Sequence, residues 1–116
     1  MTAVATATKF LVLSEENSGQ EARVQNLGLV TVALEENPST GYHWEYMQIN
    51  PSEEGQVRLL NDTFLPGNRI PGAPGARVFL LQAVSPGHTE MRFCLYPPSG
   101  AEPVKQLSFP TDIIIP

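Results

Sequence analysis

Apolar residues along the chain fall in short runs that are separated by clusters of Pro, Gly and small polar residues. The clearest run is Leu27 to Leu34, in which Val30, Val32 and Leu34 alternate with other positions and so share one face of a strand. No segment of about ten to twelve residues keeps a helical period of apolar positions. The pattern therefore predicts an all-β protein.

Six further runs are predicted as strands, each bounded by turn-forming residues. They cover residues 9–13, 43–49, 56–64, 76–84, 88–96 and 104–109. The connection Ser85-Pro86-Gly87 is short enough to predict an antiparallel hairpin between the fifth and sixth strands. Pro110 predicts the end of the last strand, because proline cannot donate to a ladder. We therefore expect loosely ordered ends over residues 1–7 and 111–116.

Seven short strands at a spacing of roughly ten residues are typical of an immunoglobulin-like β-sandwich. Residues 1–116 are enough for one domain, and a hydrophobic fraction of 41% is enough for its core. Trp44, early in the third strand, is interpreted as a core residue. Cys94 is the single cysteine, so no internal disulfide can form and an antibody-type domain is excluded.

Charge and composition narrow the possible partners. The formal net charge is −5, and the seven Lys and Arg are scattered singly, which argues against nucleic acid and against an anionic membrane as partners. The pairs Glu15-Glu16, Glu35-Glu36 and Glu53-Glu54 are interpreted as solvated surface. The first fourteen residues lack the basic start of a secretory signal, which favours a cytoplasmic location unless a leader has been removed.

The residues that could carry catalysis do not form a constellation. Cys94 lies within an apolar strand and is interpreted as structural, because a reactive thiol needs a base and an activating environment. His43 and His88 are the only histidines, each opens a strand, and their spacing suggests neither a dyad nor a metal pair. We therefore expect no enzyme, no metal and no cofactor.

Three connections should lie side by side, because alternate connections of a sandwich fall at the same end. They are residues 35–42, 65–75 and 96–103, the connections richest in Pro, Gly and small polar residues. Stiff loops gathered at one end are typical of recognition rather than chemistry.

The first of these connections contains Asn37-Pro38-Ser39-Thr40-Gly41-Tyr42. Asn37 can cap a turn with its side chain, and Pro38 fixes its own φ. Gly41 permits a backbone geometry, or a close approach, that a Cβ would forbid. Taken alone, the stretch could simply be a hairpin-type connection that turns the chain.

These loops resemble those of the chagasin-type inhibitors of papain-like cysteine peptidases. That family carries Asn-Pro-Thr-Thr-Gly-aromatic with Trp two residues later, and the first loop here matches it through Trp44, with Ser39 in place of a Thr. Its second motif, Gly-x-Gly-Gly, is similar to Gly72-Ala73-Pro74-Gly75, where Pro74 replaces a Gly. Its third, Arg-Pro-Trp, is only partly kept in Tyr96-Pro97-Pro98, which has neither the Arg nor the Trp.

The resemblance, over about residues 10–109, implies a reversible inhibitor that occludes a peptidase active-site cleft with three loops. The first loop would enter at the catalytic Cys–His pair, the second would lie along one wall and pair its backbone with the enzyme, and the third would press on the other wall. The residues implied to bind the peptidase are Asn37, Pro38, Ser39, Thr40, Gly41, Tyr42, Gly72, Ala73, Pro74, Gly75, Tyr96, Pro97 and Pro98. The implied partner is papain or a cathepsin L-like enzyme, bound by a monomer. The alternative is a non-inhibitory binding or adhesion module of the same fold.

Overall fold

The computed structural model describes residues 7–48, 55–67, 70 and 72–116. Its strands are β1 Thr8–Ser14, β2 Ala22–Glu36, β3 His43–Met47, β4 Val57–Pro66, β5 Gly75–Ala83, β6 Gly87–Tyr96 and β7 Lys105–Ile114. Single 3-10 turns cover Glu15–Asn17 and Pro38–Thr40. No α-helix occurs in these residues, so none there could cross a membrane. The predicted all-β fold is confirmed, while most of the predicted loose N-terminus, residues 1–6, lies outside the described part.

The strands form two layers that face each other across the core. Hydrogen bonding follows the order β3-β6-β7-β2-β5-β4, with β1 added to β2. One layer contains β4, β5, β1 and the second half of β2, and the other contains β3, β6 and β7. Strands β5 and β6 are not hydrogen-bonded to each other, yet the ring centroids of Phe79 in β5 and Phe93 in β6 are 5.0 Å apart. The sheet is therefore folded over into a sandwich.

Strand β2 belongs to both layers because it bends near its middle. Its first residues, 22–25, pair in parallel with β7, whereas residues 29–36 pair with β5. Between them Leu27 has a φ of +70°, and Gly28 lies so close to Gln25 that a Cβ would be 2.8 Å from its carbonyl oxygen. A left-handed residue followed by a glycine is the geometry that lets a strand change neighbours. The strand predicted over residues 27–34 is its second half.

The core fills the space between the layers with side chains from every strand. Its fully buried residues include Phe79, Phe93 and Phe109, and the predicted inner face of β2, residues 30, 32 and 34, is also buried. Trp44 is 4% exposed, and its indole N–H donates to the carbonyl of Glu35 at 3.0 Å. The interpretation of Trp44 as a core residue is confirmed.

The predicted hairpin between the fifth and sixth strands is wrong. Strand β5 pairs with β2 and β4, whereas β6 pairs with β3 and β7, so Ser85-Pro86-Gly87 carries the chain from one layer to the other. Three residues can span roughly 10 Å, which is about the distance between packed sheets. A short connection therefore allows a crossing as readily as a hairpin. Gln56 holds this one in place by donating from Nε2 to the Pro86 carbonyl at 3.1 Å.

The predicted end of the last strand at Pro110 is also wrong. Strand β7 continues to Ile114, and both Thr111 and Ile113 are 2% exposed. Pro110 is exposed and faces Glu90 of β6, while the pairing of β7 with β2 begins only at Thr111. A proline is tolerated where one side of the strand lacks a partner. The expected loose end over residues 111–116 is thus a strand up to Ile114.

Candidate functional site

Three loops meet at one end of the sandwich, as predicted. We call them loop 1 (residues 37–42), loop 2 (67–74, described at 67, 70 and 72–74) and loop 3 (97–104), and together the loop tip. Asn37 of loop 1 donates from Nδ2 to the Gly72 carbonyl of loop 2 at 3.0 Å. On its other side loop 1 touches loop 3, since a Cβ on Gly41 would lie 2.8 Å from Cγ of Pro98. Loop 1 is therefore the centre of the tip.

Asn37 organises loop 1, which confirms the predicted cap. Its Oδ1 accepts hydrogen bonds from the Ser39 amide at 3.1 Å and the Ser39 hydroxyl at 2.7 Å. The 3-10 turn that starts at Pro38 ends at Gly41, whose φ of +77° lies in the left-handed region. Gly41 thus serves both predicted purposes, because it takes a conformation unfavourable to other residues and permits the approach of Pro98.

Thr40 uses its hydroxyl inside the loop rather than leaving it free. Its Oγ1 donates to the Asn37 carbonyl at 2.7 Å and accepts from the Tyr42 amide at 3.3 Å. Pro38, Ser39, Thr40, Gly41 and Tyr42 are exposed. Loop 1 is therefore a projection held by its own hydrogen bonds, with little freedom left to lose on binding.

The four predicted residues of loop 2 do not all belong to the exposed surface. Gly72, with a φ of +82°, and Pro74 are exposed, and the amide of Ala73 donates to the Ile70 carbonyl at 3.1 Å. Gly75 is instead the first residue of β5, paired with Glu36 and Pro66, and a Cβ there would collide with the Leu65 carbonyl. Gly75 is needed for strand packing.

Beside loop 3 the structure adds His43, a residue to which the sequence interpretation gave no role in binding. Tyr96, at the end of β6, stacks on His43 of β3 with centroids 5.9 Å apart and planes 27° apart. His43 is 45% exposed in its side chain and borders loop 1. Pro98 is exposed and Pro97 is half-buried, accepting from the Gly100 amide at 2.9 Å. The alternation with inward-facing Trp44 is the signal that could have placed His43 on the outer face.

The interpretation of the Glu35-Glu36 pair as solvated surface is wrong for Glu36. Its side chain is 3% exposed, and its carboxylate accepts from the Trp44 amide at 2.7 Å and from Nε and Nη2 of Arg77 at 3.1 and 2.8 Å. The bond to Glu36 is the main cause that raises the pKa of Arg77 above its usual value. A buried carboxylate needs such partners, and sequence could not reveal one that lies 41 positions away. Glu35, Glu15 and Glu16 are exposed, and Glu53-Glu54 lies outside the described residues.

The groups capable of catalysis lie apart from the loop tip or from one another. Cys94 is 4% exposed, and burial raises the pKa of its thiol, so the thiolate needed for reaction is disfavoured. His88 pairs with Asp112 at 3.0 Å, while His43 lies 3.7 Å from Glu45. In the described part of the chain no three His, Cys, Asp or Glu residues are grouped to hold a metal ion. The described residues of the tip offer shape and hydrogen bonds rather than reactive groups.

Comparison with known proteins adds a family and a set of similar structures. The family model described as "Chagasin family peptidase inhibitor I42" matches residues 23–113. The crystal structure of the cysteine protease inhibitor EhICP2 from Entamoeba histolytica is similar at 24% identity and a TM-score of 0.71, over 90% of this chain and 94% of that one. No curated protein sequence matches the chain at a significant level.

Two further structures share the fold at lower identity. The solution structure of Amebosin is 21% identical, with a TM-score of 0.59 over 92% of this chain and 98% of that one. PbICP-C, solved in complex with falcipain-2, is 15% identical, with a TM-score of 0.53 over 97% of this chain and 95% of that one. At these identities the likeness establishes the fold, an immunoglobulin-like sandwich.

Proposed function

This chain belongs to the chagasin family of peptidase inhibitors, and on that premise we propose that it blocks papain-like cysteine peptidases with its loop tip. It is a peptidase inhibitor and not an enzyme. The observation that carries the proposed mode is the meeting of three loops at one end, fastened by the Asn37–Gly72 hydrogen bond and the Gly41–Pro98 contact. PbICP-C, a protein of the same fold, was solved with falcipain-2 bound.

Loop 1 is the part that we propose enters the active-site cleft. It projects from the sandwich, and its most prominent residues, Ser39, Thr40 and Gly41, are small and exposed. A narrow cleft over a catalytic Cys–His pair admits only such a tip. Because the 3-10 turn is already held by Asn37 and Thr40, little conformational entropy is lost when the cleft closes around it.

Loops 2 and 3 are proposed to press on the two walls of the cleft. In loop 2 the Gly72 carbonyl and the Ala73 amide already have partners within the protein, so only part of its backbone is available to an enzyme. In loop 3 the exposed Pro98 provides apolar contact, together with the Tyr96 ring at the adjoining end of β6. Loop 3 has no Arg or Trp, the side chains that most often dominate binding energy. Loop 3 is therefore expected to carry a smaller share of the binding energy than loop 1.

The test is inhibition of papain and of a cathepsin L-like peptidase with a small fluorogenic substrate. We expect reversible competitive inhibition by a monomer, because occlusion of the cleft excludes the substrate and needs no second copy. Full activity of both peptidases at micromolar concentrations of the protein would contradict the proposal. A non-inhibitory binding or adhesion module, the alternative considered from the sequence, would give that result.

A further inference from the structure

The carboxylate of Glu36 connects the two ends of loop 1. Glu36 is the last residue of β2, directly before the loop, and Trp44 is the second residue of β3, two positions after the loop ends. Oε1 of Glu36 accepts the Trp44 amide hydrogen bond at 2.7 Å. The neighbouring carbonyl of Glu35 accepts from the Trp44 indole at 3.0 Å. The distance between the two ends of the loop is thus set by one side chain and one carbonyl, both from the end of β2.

The same carboxylate also reaches the base of loop 2. Its Oε2 accepts from Nε and Nη2 of Arg77, which lies near the start of β5, the strand that follows loop 2. Nη1 of Arg77 in turn donates to Asp62 of β4, the strand that precedes loop 2, at 3.1 Å. The guanidinium group also lies over the Phe64 ring, 5.8 Å from its centroid. Arg77 is therefore held by both strands that flank loop 2.

The cluster differs from an ordinary surface ion pair in its burial and its geometry. The Glu36 side chain is 3% exposed and that of Arg77 25% exposed, so solvent screens their interaction only weakly. The planar guanidinium fork donates twice to one carboxylate, which sets the direction of the contact as well as its distance. A buried ion pair gives little net stability over apolar packing of similar volume, so the burial of this pair is weak evidence for a stabilising role.

We propose that Glu36 is the positioning residue of the loop tip, setting loop 1 against loop 2 through Trp44 and Arg77. The tip is then presented to a peptidase already in its binding conformation. The consequence for inhibition rests on the proposed function, whereas the consequence for the order of loop 1 does not. The two are therefore tested by separate measurements.

The experiment compares E36Q with I113V and I113A. Glutamine keeps the volume of Glu36 but puts an amide donor against either Arg77 or the Trp44 amide. Ile113 is buried near the opposite end, where β7 pairs with the start of β2 and with Gly87, so its variants lower stability without touching the tip. We measure the inhibition constant for papain, the thermal midpoint, and the hydrogen–deuterium exchange of residues 37–44.

We expect E36Q to raise the inhibition constant by about tenfold or more, because a loop that is no longer held must be ordered on binding. The thermal midpoint of E36Q should fall between those of I113V and I113A. Exchange in residues 37–44 should nevertheless be faster in E36Q than in either Ile113 variant. Those variants should keep the inhibition constant of the parent. The conservative R77K variant keeps a positive charge but loses the fork, so exchange should rise to an intermediate degree.

Equal exchange in E36Q and in the bracketing Ile113 variants would overturn the proposal, since Glu36 would then contribute only to overall stability. If E36Q does not fold, R77K is compared with Ile113 variants of similar thermal midpoint instead. Exchange in residues 37–44 that is no faster in R77K than in those variants then overturns the proposal. Failure of the parent protein to inhibit any papain-like peptidase would overturn the proposed function alone. The exchange measurement would still decide whether Glu36 positions the tip.

Discussion

At the scale of single residues, Gly41 and Gly19 share a backbone conformation but differ in their surroundings. Their φ angles are +77° and +85°, so both disfavour a Cβ for the same intrinsic reason. A Cβ on Gly41 would also meet the Pro98 ring, whereas Gly19, whose amide donates to the Ser108 carbonyl in β7, has open space around it. This pair separates backbone strain from loop contact.

Gly41→Ala should therefore weaken inhibition, while Gly19→Ala should not. Each substitution places alanine in the left-handed region, which is expected to lower the free energy of unfolding by about 1 kcal/mol. In Gly41→Ala the added methyl group must also displace loop 1 from loop 3, so the inhibition constant should rise by about tenfold or more. Thermal midpoints and inhibition constants of both variants check this. An unchanged inhibition constant for Gly41→Ala would contradict the packing role of the glycine.

Thr40 permits a test of whether the tip enters a narrow cleft. Thr40→Val removes the hydroxyl bonds to Asn37 and Tyr42 with little change in size, at about 1 kcal/mol per bond lost. Thr40→Trp removes the same bonds and adds bulk. We expect Thr40→Trp to inhibit roughly a hundredfold less well than the parent, about 2.7 kcal/mol, and Thr40→Val only a few-fold less well. Equal inhibition constants for the two variants would show that bulk at this position meets no wall.

At the scale of elements, loop 3 depends on the strand that supports it. Tyr96 is fixed by its stack on His43 and by a contact of its hydroxyl with Sδ of Met47 at 3.5 Å, all on the outer face of β3 and β6. Pro97 and Pro98 follow in the loop itself. The aromatic ring presents more rigid apolar area than either proline, and such rings are the usual centres of binding energy.

Among Tyr96, Pro97 and Pro98, the change Tyr96→Ala should thus be the most costly, by about 1–2 kcal/mol of binding free energy. Tyr96→Phe serves as its control, because it keeps the stack on His43 and loses only the hydroxyl, and it should bind nearly as well as the parent. Inhibition constants for these two variants and for Pro97→Ala and Pro98→Ala give the comparison. A larger loss in either proline variant would show that this view of the loop is wrong.

At the scale of the whole molecule, the two layers are joined where the first residues of β2 pair with the last residues of β7. The residues of β7 beyond Pro110 include Thr111 and Ile113, both buried. They complete the far end of the core, opposite the loop tip. The C-terminal segment is therefore part of what holds the sandwich closed.

Truncation after Pro110 should lower the free energy of unfolding by several kcal/mol, because the burial of Ile113 alone contributes about 1.5–3 kcal/mol and the pairing with β2 is lost as well. The matched control ends at Ile114 and removes only the exposed Ile115 and Pro116. In a denaturant titration that control should unfold at the same midpoint concentration as the intact chain. Equal stability of the two truncated chains would contradict the structural role of this segment.

The residues predicted to bind a peptidase differ in whether they lie on the surface of the tip or within a strand. Asn37 to Tyr42, Gly72, Pro74 and Pro98 are at or near the surface of the tip, whereas Gly75 is strand and Glu36, interpreted as solvated, is buried. Peptidase binding by these residues stays a prediction. The turn chemistry of Asn37, Pro38 and Gly41 could be read locally, because a cap and a left-handed glycine depend on neighbours along the chain.

By itself the sequence determined what depends on local order. Short apolar runs bounded by turn residues predicted all seven strands, although not the full lengths of β2 and β7, and the motif of loop 1 indicated the family. Only the tertiary structure decided which strands pair across Ser85-Pro86-Gly87, that β7 runs past Pro110, and that Glu36 is buried against Arg77. Periodicity shows that a strand has an inner face but not which strand lies beside it. Such pairings join residues far apart in the chain, and their free energy comes from burial and hydrogen bonds that exist only once the layers have met.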